Sequence, residues 1–251
     1  MADAPGGSEM SFWDHLEELR WTILRSVVAV CVFSVLGFIF KDALFKVILW
    51  PASEDFVIYR LLGWNVNLEL INTEISAQFF IHLKAAVAAG LILAFPYIIW
   101  EVWRFVAPAL YPREKKAVGA AFLMSSGFFY LGVLVGYFFV LPVCLQFFIN
   151  YSVNPGISNT ITVGSYMSMF LSMSLLIGVV FEFPTVITVL SRLGVVSRSI
   201  LRKGRKYALV AVLVLAALIT PSDPFSMLVL AAPLYLLYEI SILLCHDGVD
   251  K

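Results

Sequence analysis

Long apolar runs alternate with short polar stretches along this chain. A hydrocarbon core about 30 Å thick needs roughly 20 apolar residues at about 1.5 Å rise each. Six runs meet or approach that length, at about Trp21 to Phe40, Phe79 to Leu110, Val118 to Tyr151, Ser165 to Leu193, Tyr207 to Thr220 and Phe225 to Cys245. Backbone groups in lipid find no water, so runs of this length must satisfy their hydrogen bonds internally as helices. The pattern predicts an all-α membrane protein of six transmembrane helices, a single integral membrane domain over residues 1–251. Pro96 and Pro184 fall inside spans and predict kinks. The fifth run is the short one, and Lys203, Arg205 and Lys206 at its start could snorkel to the interface.

Ahead of the first span the period changes. Ser11 with Asp14 three residues on reads as a helix start. Phe12, Leu16, Leu19 and Ile23 then recur at helical spacing, with Asp14, Glu17 and Glu18 on the opposite face. This is an amphipathic amino-terminal helix with an acidic polar side. Interfacial helices are usually basic, because headgroups are anionic. The acidic side reads either as a solvated face or as a docking surface for a basic ligand. Residues 1–10 read as a disordered tail, and the acidic start lacks the pattern of a cleavable signal peptide.

Composition agrees with the span count: 61% of residues are hydrophobic and only 14% charged, too few charges for a water-soluble surface. The net charge is zero, so it carries no hint of a nucleic-acid partner, and its distribution is the informative part. Arg104, Arg113, Lys115 and Lys116 surround the loop after the second span. Arg192, Arg198, Arg202, Lys203, Arg205 and Lys206 fill the loop after the fourth. The stretch from Asn154 to Gly164 has no charge, and the turn from Pro221 to Pro224 has only Asp223. By the positive-inside rule the two basic loops face the cytoplasm, and with six spans both termini do too. The long segment from Lys41 to Gln78 then lies outside.

Candidate chemistry narrows quickly. There is no phosphate-binding glycine loop, no HExxH pair and no GxSxG elbow. His15, His82 and His246 are far apart, and Cys31, Cys144 and Cys245 give neither a disulfide framework nor a zinc pattern. No cofactor and no enzyme activity are expected. The ionisable residues inside spans stand out instead: Glu182, Glu239 and Lys84. A charge at mid-bilayer costs at least about 2.5–3.5 kcal/mol on insertion scales, so it marks a cavity or a partner. Glu114, near the start of the third helix after Pro112, gains from the helix dipole in any case.

Four motifs tie these residues together. HLEELR at His15 to Arg20, RFVAPALYPRE at Arg104 to Glu114, FEFP at Phe181 to Pro184 and TPSDPFS at Thr220 to Ser226 occur in that order over the six spans. In motif, order and spacing the chain resembles the TatC family, the signal-peptide receptors of twin-arginine protein translocases. The resemblance implies a cupped helical bundle. It also implies a receptor for twin-arginine signal peptides of folded cargo, working with TatB-like and TatA-like single-span partners in an oligomeric complex in the bacterial inner membrane, driven by the protonmotive force. By position, Glu18, Glu114, Phe105, Pro108 and Arg20 match the signal-peptide site. Glu182 and Glu239 match intramembrane functional acids. Thr220, Pro221, Asp223 and Met227 match a partner contact, where many family members carry Gln at the position of Met227. Pro51 matches a further family position. The alternative is a proton-coupled transporter of small solutes, with Glu182 and Glu239 as the relay.

Overall fold

The computed structural model describes residues 12–66, 68–106, 115–154, 159–220 and 223–245, so the tail expected over residues 1–10 lies outside them, as do Pro108, Glu114 and Pro221. Twelve α-helical segments and two very short strands make up the described chain. Five helical stretches are long and apolar enough to cross a membrane: Trp13–Ile39, Ala77–Val106, Phe122–Asn150, Val163–Arg192 and Pro224–Leu244. The remaining run forms a helix too, but Arg205–Ile219 has only 15 residues, roughly 22 Å at about 1.5 Å each.

The first helix, α1, runs unbroken over Phe12–Ile39, so the amphipathic segment and the first span are one rod. Its apolar face is not buried in protein: Leu16, Leu19 and Ile23 are all exposed, while Glu18 is half-buried. The hydrophobic stripe predicted from periodicity therefore faces outward, where lipid would cover it, and α1 packs chiefly on one neighbour, α4 (Ala77–Val106). The two run antiparallel. A Cβ at Gly90 would collide with Ser34, and Gly37 lies against Ala86, so small residues let these backbones approach closely. Phe38 stacks on His82 at the far end of the same seam.

The third and fourth spans are not simple rods. The third is α5 (Lys115–Val135), a π-turn over Gly136–Val140 and α6 (Leu141–Asn150). The fourth is α7 (Val163–Leu171), a second π-turn over Ser172–Leu176, α8 (Ile177–Val180) and α9 (Phe183–Arg192). Pro184 sits in the first turn of α9, where its missing N–H does no harm, and the break falls on Phe181 and Glu182 just before it. The expected kink is thus a helix restart. The two π-turns meet: a Cβ at Gly136 would lie 2.0 Å from the Met173 carbonyl oxygen. Nearby, Gly132 and Gly178 give α5 and α8 a second close approach, and a ring pair of Phe95 on Phe129 joins α4 to α5.

The long segment between the first two spans is a folded cap rather than a loop. It holds α2 (Lys41–Leu49), a 3-10 turn over Trp50–Ala52 and α3 (Val57–Leu62), which ends on Gly63 in the left-handed region at φ 68°. Then β1 (Leu70–Ile71) pairs in parallel with β2 (Ile161–Thr162), joining the cap to the neutral loop. Three tyrosines anchor the cap by donating to main-chain carbonyls. Tyr137 reaches Val47 O at 2.7 Å, Tyr166 reaches Ile48 O at 2.6 Å, and Tyr59 reaches Pro51 O at 2.8 Å. Burial pushes the Tyr59 phenol well above its ordinary pKa. Pro51, flagged only by resemblance, is therefore an acceptor in the cap's own scaffold.

The chain closes with α10 (Arg198–Lys203), α11 (Arg205–Ile219) and α12 (Pro224–Leu244). The cap of α12 is made locally: Asp223 Oδ1 accepts from Ser226 N at 2.6 Å. Of the three cysteines, Cys144 and Cys245 are small core residues as expected, whereas Cys31 is exposed on α1.

Candidate functional site

The sequence-predicted residues fall into three groups along the bundle. The first is at the start of α1 and the end of α4. Because the two helices are antiparallel, His15 comes to lie on Phe105, with ring centroids 4.3 Å apart and planes 22° apart. Glu18 follows His15 by three residues, nearly one helical turn, and is half-buried where the other acids of the segment are exposed. Arg20 does not point at Glu18. It pairs with Glu17 at 3.5 Å and lies over the Trp21 ring at 5.5 Å, a fully solvated arrangement of little energetic weight. Glu18 and Phe105 are thus brought to one end of one helix pair, and Arg20 is turned aside. Glu114 and Pro108 lie outside the described residues.

Two ionisable residues at this end escape the sequence reading. Arg25 on α1 and Glu101 on α4 approach to 3.4 Å, with the Glu101 side chain 4% exposed and the Arg25 side chain 36% exposed. Arg25 Nε also donates to Trp21 O at 3.2 Å. The signal was available: Arg25 sits four residues inside the first apolar run and Glu101 nine residues before the end of the second, and an antiparallel pairing of the two spans brings them together.

The second group surrounds Glu182. Its place at the break before α9 frees its side chain to reach across to α5, where Ser125 Oγ donates to Glu182 Oε2 at 2.5 Å. Ser125 is ten residues beyond the start of α5, roughly 15 Å at about 1.5 Å each, which puts the carboxyl well inside the bilayer. Glu182 Oε1 is buried with no hydrogen-bond partner in the network among the described residues, and the Thr185 hydroxyl lies beside the carboxyl. A group of polar atoms at membrane depth with spare bonding capacity suits bound water or a partner's polar group. Glu239 is not part of this group. It accepts from Arg205 at 2.7 Å, tying the end of α12 to the start of α11.

The third group is at the turn between α11 and α12. Thr220, Asp223 and Met227 line a cavity of about 280 Å³ together with Ala217 and Pro224. Thr220 Oγ1 already bonds its own helix at Ala216 O, 2.9 Å away, and Ser226 is fully buried. Pro221 lies outside the described residues. Met227 therefore gives the cavity a flexible thioether wall where an amide would have offered a donor.

Comparison with known proteins sets these groups in a family. The model of the Sec-independent protein translocase protein TatC matches residues 14–233. Relatives include TatC of a Blattabacterium, 36% identical over 94% of each chain, and TatC of Escherichia coli K12, 34% identical over 94% of this chain and 88% of its own. A crystal structure of the twin-arginine translocase receptor TatC superposes with a TM-score of 0.78 at 35% identity, covering 92% of this chain and 97% of that one. The same receptor in the detergent DDM gives 0.80. With a match that runs from the acidic turn of α1 into α12, and with apolar helices long enough to cross a bilayer several times, this chain is a multi-pass membrane protein that belongs to the TatC family of Sec-independent protein translocase components.

Proposed function

We propose that this chain is the receptor subunit of a twin-arginine translocase. It binds the twin-arginine signal peptide of folded cargo at its cytoplasmic surface. With TatB-like and TatA-like single-span partners in an oligomeric complex, it carries that cargo across the bacterial inner membrane on the protonmotive force. Six spans and cytoplasmic termini go with this reading, with Glu18 and Glu114 as acceptors for the two arginines, Phe105 and Pro108 shaping the site, and Thr220, Pro221, Asp223 and Met227 as the partner contact. Relatives described as translocase receptors lend it support. The observation that carries it is the stacking of His15 on Phe105, with the half-buried Glu18 nearly one helical turn further along α1, at the end of the helix pair where the motifs before the first span and after the second meet.

The chemistry is specific to arginine. A guanidinium donates two parallel hydrogen bonds to a carboxylate, a geometry the ammonium of lysine cannot reproduce. Charge-assisted hydrogen bonds are worth about 1.5–3 kcal/mol, and solvent exposure moves them toward the surface-pair range of about 0–1 kcal/mol. A half-buried acceptor such as Glu18 lies between these limits. Cross-linking of a twin-arginine peptide should fall several-fold in Glu18→Gln and in Glu114→Gln and nearly vanish in the double variant. Neutralising Asp14 or Glu17 should do less, and a twin-lysine peptide should bind weakly throughout. Parental binding in the double variant would return the acidic face to a merely solvated one. The transporter reading gains no comparable support: among the described residues Glu182 bonds Ser125 and Glu239 bonds Arg205, with no relay between them.

A further inference from the structure

We propose that Arg25 and Glu101 are positioning residues of the peptide site: their ion pair fixes the register of α1 on α4 and so sets where Glu18 stands relative to Phe105. The proposal rests on the reading of Glu18 given above, and its test separates the two.

Glu101 is a demanding group to place. Its side chain is almost fully buried near the cytoplasmic end of α4. One carboxylate oxygen has no hydrogen-bond partner among the described residues and lies 3.4 Å from the Arg25 guanidinium, with the Tyr97 hydroxyl also beside the carboxylate. A buried carboxylate left without its cation is strongly destabilising, so the α1–α4 register that brings Arg25 to Glu101 is favoured over its neighbours. Arg25 is itself held, through Nε to Trp21 O. Tyr97 and Arg104 complete the local electrostatic group, one before and one after Glu101 on the same helix. Burial also excludes a direct role: an arriving arginine would have to displace Arg25 to reach Glu101.

The seam explains why such a lock matters. α1 has one main neighbour and presents most of its surface outward. Toward the outer leaflet its contacts with α4 come from small residues, Gly37 on Ala86 and Ser34 on Gly90, which set how near the rods come. Toward the cytoplasm the contacts are the ion pair and then the His15–Phe105 stack. Arg25 is two turns from Glu18, about 10 Å at roughly 1.5 Å per residue, and Glu101 is one turn before Phe105, about 6 Å. The pair is therefore an ionic contact between the helices within about two turns of both halves of the site. A slip of one helical turn, about 5.4 Å, would carry Glu18 out of line with Phe105.

Two measurements on the full-length protein in nanodiscs test this. Spin labels at Glu17 and Val102, both exposed, in a cysteine-free background report the register directly. Cross-linking to a twin-arginine peptide reports the site. Glu101→Gln should broaden or shift the label distances and lower cross-linking about five- to tenfold, the low end of coupling between sites. The exchanged pair, Arg25→Glu with Glu101→Arg, should restore both. If Glu101→Gln does not accumulate, the neutral pair Arg25→Gln with Glu101→Gln, which buries no charge, replaces it under the same reading. Unchanged distances in the neutralised variant overturn the proposal, whatever the peptide does. So does an exchanged pair that leaves the distances disordered. If instead the distances respond as expected but the parent shows no preference for arginine over lysine peptides, the positioning role stands and the peptide reading of Glu18 falls.

Discussion

Glu182 reaches its partner across two spans, and that single bond decides what its replacement should do. Ser125 Oγ donates to it at 2.5 Å, and Ser125 is itself almost fully buried. Ser125→Ala should cost about 1–3 kcal/mol, the desolvation penalty of an acceptor left unpaired, read as a lower midpoint in thermal unfolding of the detergent-solubilised protein. Glu182→Ala removes the acceptor as well, so its effect on stability should be smaller. Its effect should appear in transport: peptide cross-linking at the surface retained, export lost. Full export by Glu182→Ala would remove the intramembrane acid from the mechanism. A charge inside an apolar run was legible from sequence alone, and Glu182 was legible for that reason. Ser125 was not, because a serine in a span is unremarkable until the fold brings it to an acid 57 residues away. Arg25 and Glu101 were hidden differently. Each stands near the end of a run, where a charge reads as an interfacial flank, and only the pairing of α1 with α4 reveals that Glu101 is buried.

At the scale of elements, periodicity located the helices but not their interruptions. A π-turn adds a residue to one helical turn without any change in hydrophobicity, so Gly136–Val140 and Ser172–Leu176 read as continuous helix. Their physical reason is contact: the third and fourth spans touch backbone to backbone where Gly136 meets the Met173 carbonyl. Gly136→Val should therefore lower the yield of folded protein sharply, since nothing flexible can move aside, whereas a valine at Gly127, with open space around it, should be tolerated. A fluorescence-detected size-exclusion profile of each variant distinguishes them. The short α11 raises the complementary question of how a helix of 15 residues keeps its place. Both of its ends are tied. Arg205 pairs with Glu239 at 2.7 Å, Tyr238 Oη donates to Leu201 O at 2.6 Å just ahead of it, and the turn to α12 is capped by Asp223. Tyr238→Phe should cost about 1 kcal/mol and speed hydrogen exchange over α10 and the first turn of α11. Equal exchange in both proteins would mean that the ion pair alone holds that end. Glu239, which sequence alone puts among the intramembrane acids, is better understood as this tie.

For the whole molecule, the open question of geometry is whether α11 crosses the membrane. Five long helices alone would leave the termini on opposite sides, and α11 decides the matter. Its first residue, Arg205, meets Glu239, while its last, Ile219, is followed within a few residues by Pro224 at the start of α12. So α11 runs antiparallel to α12 over the whole stretch from Pro224 to Glu239, roughly 22 Å at about 1.5 Å per residue. If α12 crosses, α11 crosses beside it. In that case local thinning, with Lys203, Arg205 and Lys206 reaching the headgroups, would make up the shortfall against a core of about 30 Å. By the positive-inside rule, the charge asymmetry predicts the direction, with the basic stretch from Arg192 to Lys206 inside and the neutral loop outside. Single cysteines at Glu17, Glu54, Thr160, Ser199 and Lys251, each in a background lacking Cys31, Cys144 and Cys245, test this in whole cells with a membrane-impermeant maleimide. Glu54 and Thr160 should label from outside. Glu17, Ser199 and Lys251 should label only after the inner membrane is opened. Labelling of Lys251 from outside, with Ser199 still protected, would mean that α11 folds back without crossing, and both the six-span count and the cytoplasmic carboxyl terminus would fall together.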